Sequence, residues 1–381
     1  MSETQPLPRK VLMTTDTVGG VWIYSLELAR GLAEQGVEVA LATMGAPLDE
    51  LQREMAGRIP RLKVFESKFK LEWMEDPWRD VERAGEWLLA LEERFGPDLI
   101  HLNGYAHGSL PWNAPKVVVG HSCVLSWWEA VKKEAAPESW DHYYDEVRGG
   151  LAAADMVIAP SEAMMASLTR HYGPFQSTRV IHNGRDVRLF RPTAKEPIVF
   201  SAGRLWDEAK NLEALENVAP RLPWPVFVAG ENHHPDGGEA RPHHTRLLGR
   251  LSQRPLSAWL GRASIYALPA RYEPFGLSVL EAALSGCALV LGDIPSLREL
   301  WRNRAVFVAP DDPEALEHAL VRLIEDPDRR NSLAAGARSR AIERTTERMV
   351  EGYLDAYAEV LSVVQEEPEE RSDSFPRQVA V

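Results

Sequence analysis

Apolar residues recur along the first half of the chain in short, nearly continuous runs, with amphipathic stretches between them. KVLMTT (Lys10–Thr15), VEVALAT (Val37–Thr43), LKVF (Leu62–Phe65), DLIHLN (Asp98–Asn103), KVVVGH (Lys116–His121), MVIAP (Met156–Pro160) and RVIHN (Arg179–Asn183) have the length and composition of buried strands. Trp22–Gln35 carries apolar residues at Leu26, Leu28, Ala29, Leu32 and Ala33, which predicts a helix. Near-continuous apolar strands alternating with helices predict a parallel sheet covered on both faces.

The periodicity stops at FRPTAKEP (Phe190–Pro197), where prolines flank a polar stretch that reads as a linker. It then restarts. IVFSAG (Ile198–Gly203), PVFVAG (Pro225–Gly230), TRLLG (Thr245–Gly249), SIYALP (Ser264–Pro269), ALVLGD (Ala288–Asp293) and AVFVAP (Ala305–Pro310) predict a second set of strands, and a helical region follows from about Pro313 to Gln365. The chain is therefore expected to be α/β, with two Rossmann-like domains facing each other across a cleft. The first spans residues 1–192 and the second 193–365, with the last helix able to pack back on the first domain. The charged, aperiodic segment 366–381 is expected to be a disordered tail.

Composition changes this picture little. With 381 residues, 45% hydrophobic and 26% charged, the chain suits two soluble domains. The net charge of −13 argues against general binding to nucleic acid or to anionic membrane. Cys123 and Cys287 sit in apolar runs and read as buried free thiols. No stretch approaches the ~18 apolar residues of a membrane span, and MSETQPLPRK does not resemble a signal peptide, so a cytoplasmic location is expected.

Ligands of open α/β sheets bind beyond the carboxyl ends of the strands, which directs attention to the loops. DTVGGVW follows the first strand, and Gly19 and Gly20 could let backbone N–H groups approach a phosphate. The run lacks the G-x-G-x-x-G spacing of a dinucleotide site. In SAGRLWDEAKN, Arg204 and Lys210 follow the first strand of the second domain. Two cations there suit a diphosphate, while a solvated loop with Arg204 paired to Asp207 or Glu208 is the plainer alternative.

ARYEPFGLSVLEAALSGC places Glu273 before a helix start and Glu281 inside the helix. Between them lie Pro274 and the backbone donors of Phe275, Gly276 and Leu277. Carboxylates accept hydrogen bonds from vicinal diols. A nucleotide sugar carries a diol at each end and a diphosphate between, which matches two carboxylates flanking a phosphate cradle.

Taken together, EPFGLSVLE, SAGRLWDEAKN and IHNGRDVRLFRP resemble the retaining glycosyltransferases of family four, which have the GT-B fold. The resemblance spans roughly residues 10 to 365. It implies that Glu273 contacts hydroxyls of the transferred sugar and Glu281 the nucleotide ribose. Arg204 and Lys210 would neutralise the diphosphate, Gly19 and Gly20 would line the donor site from the other domain, and His121 matches a histidine near the donor sugar. Arg204 and Lys210 stand six apart, one more than in many relatives, with Ala209 as the extra residue.

The implied substrates are a nucleoside diphosphate sugar, with uridine and guanosine both compatible, and a small-molecule, glycan or lipid-linked acceptor. No cofactor or metal is expected. Asp326 and Asp328 read as helix capping, and the pairs His233–His234 and His243–His244 are weak zinc ligands without a third anchored group. Trp127 and Trp128 could stack on an acceptor or fill a core. The basic run GRIPRLKVFESKFK reads as a solvated face, with contact to a lipid headgroup as the lesser alternative. A sugar-nucleotide epimerase, a phosphorylase and a non-catalytic nucleotide-sugar binding protein are the competing readings.

Overall fold

The computed structural model describes residues 7–233, 237 and 242–372. Each apolar run singled out above is a strand. The first sheet contains β1 (Lys10–Asp16), β2 (Glu38–Met44), β3 (Leu62–Glu66), β4 (Leu99–Leu102), β5 (Lys116–Val119), β6 (Met156–Ala159) and β7 (Thr178–Val180). The second contains β8 (Glu196–Ala202), β9 (Val226–Ala229), β10 (Arg246–Leu247), β11 (Ala263–Leu268), β12 (Ala288–Gly292) and β13 (Val306–Val308).

Their spatial orders are β3-β2-β1-β4-β5-β6-β7 and β10-β9-β8-β11-β12-β13, and all pairings are parallel. Parallel strands need crossover helices, and these cover both faces, so most side chains of the inner strands lie at or near zero exposure. In each sheet the order reverses between the first strand and its neighbour: β1 and β4, then β8 and β11. The crevices at those switch points are where a ligand fits. The chain is thus a two-domain α/β protein of the GT-B type.

The chain crosses between the domains twice. The first crossing follows β7 and ends at β8. The second lies between helix Pro327–Ala341, whose Ala337 and Ala341 belong to the second core, and helix Thr346–Ser372. That last helix packs on the first domain: Met349, Val350, Tyr353, Ala356, Tyr357 and Val360 share a core with Trp22, Tyr24 and Leu28 of helix Gly20–Glu34. Tyr357 also places its hydroxyl 2.6 Å from Nδ1 of His101 on β4. At roughly 1.5–3 kcal/mol per fully buried large side chain, this contact is a substantial tie between the two ends of the chain.

The helix continues to Ser372 instead of giving way to a disordered tail after Gln365. Glutamate and arginine dominate the added segment. They are good helix formers, and extending an existing helix avoids the cost of nucleation. The segment also contains Pro368, which cannot donate to the helix ladder. Residues 373–381 lie outside the described residues.

Candidate active site

β1 ends at Asp16, whose carboxylate accepts from the Val18 amide at 3.0 Å and so closes the turn that follows. Burial pushes the Asp16 carboxyl up, against the opposing pull of the Val18 and Gly19 amides and of Arg204. Gly19 is the residue before helix Gly20–Glu34, has extended backbone at φ −173°, and receives no side-chain cap at its helix start. The turn abuts the second domain. A Cβ placed on Gly19 would stand 3.7 Å from an Arg204 guanidinium nitrogen, and one on Gly20 would stand 3.7 Å from Leu277 Cδ1.

Opposite this turn, the loop after β8 holds the two cations. Arg204 donates to Asp207 at 2.8 Å, so the plainer pairing exists, but its side chain stays about one-third exposed. Asp207 is buried and organises the loop: it accepts from Trp127 Nε1 at 3.1 Å and from the Ala209 amide at 3.0 Å. Burial alone would raise its pKa. The Arg204 and Lys210 cations outweigh that effect, helped by the Trp127 and Ala209 donors, and hold the carboxyl below its usual range.

The six-residue spacing is absorbed in a single 3₁₀ turn, Glu208–Lys210, in which Ala209 is buried and Asn211 adopts a left-handed φ of 57°. The Asn211 amide holds that conformation by donating to Pro269 O and Pro310 O at 2.9 and 2.7 Å. Lys210 can therefore reach Glu273, and their side chains meet at 2.7 Å while both remain mostly buried.

Glu273 belongs to the loop after β11. Its carbonyl accepts from Ser296 at 2.5 Å, and the next carbonyl, of Pro274, accepts from Ser161 of the first domain at 2.7 Å. Phe275 turns its ring into the second core, leaving its backbone for the loop, while Leu277 packs against both cores. Gly276 sits at φ +84°, a left-handed conformation that glycine adopts without a Cβ penalty, and helix Leu277–Leu284 starts there with no side-chain cap. Arg204, Lys210, Glu273, Gly276 and the Gly19–Gly20 turn thus surround one crevice between the domains.

Glu281 has a different setting. It is 5% exposed, and its Oε1 lies 2.8 Å from Nε of Arg185, itself 3% exposed. Burial pushes the Glu281 carboxyl up, partly offset by Arg185. Arg185 lies within IHNGRDVRLFRP, but no local pattern marks it for a partner in either domain. Asp16 and Tyr272 stood in quoted motifs without being assigned a role, whereas Asp207 was read only as a partner for Arg204 and Trp127 as an acceptor or core residue.

His121 follows β5 and places Nε2 2.8 Å from Asn103 Oδ1, with its ring centroid 4.5 Å from that of Tyr24. Asn103 donates its amide to Thr14 O at 2.7 Å, which fixes Oδ1 as the acceptor, so His121 carries its proton on Nε2. Burial pushes the His121 pKa down to about 3, with a further contribution from His101, and the ring is neutral at pH 7.

Across the seam, Trp127 bonds to Asp207, Lys132 meets Glu208 at 2.7 Å, and the Cys123 amide donates to Tyr272 Oη at 3.2 Å. Glu299 accepts from the first two amides of helix Glu162–Tyr172, at 3.0 and 2.9 Å. Trp128 packs edge-on against Trp127.

The remaining sequence candidates lie elsewhere. Asp326 caps helix Pro327–Ala341 by accepting from Arg329 N. The His243 and His244 amides are bound by Glu216, and His234 lies outside the described residues. Among the described residues, no group of three or more His, Cys, Asp or Glu is arranged to hold a metal ion, and no helix is long and apolar enough to cross a membrane. Within the basic run, Arg58 and Lys63 are ion-paired to Glu54 and Glu38.

Two family models match successive parts of the chain: Glycosyltransferase Family 4 over residues 18–189 and Glycosyl transferases group 1 over residues 188–340. The glycogen synthase of Mycobacterium tuberculosis (strain ATCC 25618 / H37Rv) is 31% identical over 291 residues, which cover 68% of each chain. Among solved structures, the sucrose-phosphate synthase from Thermosynechococcus elongatus superposes with a TM-score of 0.75 at 22% identity, covering 96% of this chain and 100% of that one. Anabaena Alr3699/HepE in complex with UDP-glucose superposes with a TM-score of 0.72 at 18% identity, covering 93% of this chain and 99% of that one.

Proposed function

The chain belongs to glycosyltransferase family four, and on that premise we propose that it moves a sugar from a nucleoside diphosphate sugar to an acceptor with retention of anomeric configuration. The observation that carries this reading is the meeting of Arg204, Lys210 and Glu273 beneath the Gly19–Gly20 turn, beside the uncapped helix start at Gly276. Cations and free backbone amides converge there on a space bounded by a carboxylate, the complement of a diphosphate joined to a polyol.

In this mechanism the bond from the anomeric carbon to the diphosphate oxygen breaks as the acceptor oxygen attacks from the same face. The departing phosphate oxygen takes the acceptor proton. Negative charge grows on the diphosphate, so Arg204, Lys210 and the amides near Gly276 bind the transition state more tightly than the ground state. Lys210 spends one of its three donors on Glu273, which leaves donors for phosphate, and Glu273 is held rigidly for hydroxyls of the sugar. The carboxylates nearest the crevice already have partners: Asp16 with its own turn, Glu273 with Lys210 and Glu281 with Arg185. His121, neutral and fixed by Asn103, offers a hydrogen-bonding edge without a charge that would compete with the cations.

The test is thermal unfolding with UDP, GDP, ADP and TDP in parallel. A ligand at ~100 times its Kd adds about 2.7 kcal/mol, or roughly 5–10 °C for domains of this size. UDP is the first choice because Anabaena Alr3699/HepE holds UDP-glucose. Proton NMR of the product formed from the matching sugar donor then reads the anomeric configuration. No shift with any of the four nucleotides, or an inverted product, overturns the proposal.

A further inference from the structure

Arg185 is the most deeply buried cation near the crevice, and the mechanism above leaves it without a task. It sits in the first interdomain crossing, and its backbone amide donates to Arg344 O of the second crossing at 3.2 Å. Its guanidinium reaches into both domains. Nη1 donates to Glu27 of helix Gly20–Glu34 at 2.7 Å, and Nε lies 2.8 Å from Glu281 of helix Leu277–Leu284, off the N–H axis. The guanidinium also stands 5.0 Å from the Phe190 ring centroid. The far oxygen of Glu27 accepts from Thr346 Oγ1 at 2.7 Å, so Glu27 is itself anchored from the second crossing.

An ion triad of this kind is costly to bury. A well-packed apolar replacement is often as stable or more so, while removing one partner strands the others. Here two carboxylates share one fully buried guanidinium, with Arg30 farther off at 3.7 Å from Glu27. Stability alone is therefore a weak reason for the arrangement. Its geometry has a clearer consequence: Glu281 is fixed by a cation that is in turn held by the opposite domain.

We propose that Arg185 is a positioning residue that keeps Glu281 ionised and oriented toward the donor ribose, and that Glu27 anchors it so that ribose recognition depends on the two domains being docked. The proposal rests on the reading of Glu281 as the ribose contact. In an ionised and fixed state the Glu281 carboxylate accepts from ribose hydroxyls at full strength. Released from Arg185, it neutralises in its buried setting or rotates, and loses that capacity.

The test measures Kd by calorimetry for UDP, GDP and ADP, each against its 2′,3′-dideoxy form, using the full chain. A hydrogen bond to a charged acceptor corresponds to about a 10- to 100-fold preference for the ribonucleotide. Arg185→Met should remove most of that preference while leaving affinity for the dideoxy form nearly unchanged. Glu281→Gln should do the same, and the double variant should show no further loss. If Arg185→Met weakens both forms equally, or the double variant loses preference additively, Arg185 does not act through Glu281 and the proposal fails. A wild-type protein that binds both forms equally removes the ribose role of Glu281, and with it the proposal, without touching the diphosphate site. Should Arg185→Met fail to fold, Arg185→Lys takes its place. Its compact ammonium cannot span both carboxylates, so a several-fold fall in ribose preference is expected, and an unchanged preference overturns the idea.

Discussion

Replacing Gly19 with alanine separates what the turn does for the fold from what it does for the donor. The new methyl meets no obstacle in the protein. Its nearest neighbours would be the Arg204 guanidinium at 3.7 Å and Arg204 Cδ at 3.8 Å, both at ordinary contact distance. The backbone there is extended, at φ −173°, which any residue adopts. Stability should therefore change by no more than about 0.5 kcal/mol, and the unfolding midpoint by about 2 °C or less. Binding is another matter. The methyl would lie against the Arg204 guanidinium, where the proposed diphosphate has to approach that cation. Displacing a reacting group by ~1 Å can cost on the order of 10²-fold, about 2.7 kcal/mol. Thermal unfolding without ligand and kcat/KM for the donor are the two assays. An unchanged midpoint with an unchanged kcat/KM would refute the placement of the diphosphate at this turn. Gly184→Ala is the steric contrast, because its Cβ would overlap the Thr345 carbonyl where the two crossings touch. That variant should lose about 3 kcal/mol or more in the ligand-free unfolding assay.

Other expectations follow from the same geometry. Arg204→Ala should lower kcat by about 10²–10³, the usual effect of losing one preorganised donor to a developing anion, and an unchanged rate would remove Arg204 from the chemistry. Asp207→Asn should cost about 1–2 kcal/mol at pH 7, measured as a fall of roughly 3–6 °C in the midpoint. The folded pKa of Asp207 is depressed, so its contribution is full above the unfolded value near 4 and is lost as pH falls through the folded value. The gap between wild type and variant should accordingly close below about pH 4, and a gap that persists in acid would contradict the ion-pair account. His101 and His121, both pushed down to about 3 chiefly by burial, should stay neutral in NMR titrations down to about pH 4.5. Because the unfolded chain takes these protons first, near pH 6.5, their stabilising contribution is complete above that value and fades as pH falls toward 3. A titration step near 6.5 for either ring would show that it is not desolvated.

The sequence by itself determined both sheets and which residues stand on their switch-point loops. Each buried strand announced itself as an apolar run, because a parallel sheet covered on both faces leaves no polar alternation to disguise it. Gly19, Gly20, Arg204, Glu273 and Gly276 were legible for a related reason: switch-point loops lie just beyond strand ends, so chain position already implies place. Lys210 was nearly so, and only the 3₁₀ turn at Glu208–Lys210 explains how the extra Ala209 fits. Tertiary structure alone decided the rest. Glu27 and Arg185 stand 158 positions apart, and nothing local to either shows that they meet or that Glu281 completes the group. The same is true of Trp127 with Asp207 and of Tyr357 with His101. Hydrophobic periodicity reports how a segment buries its own face. Which charge meets which across a domain seam depends on how two finished surfaces dock, and that information is spread over the whole chain.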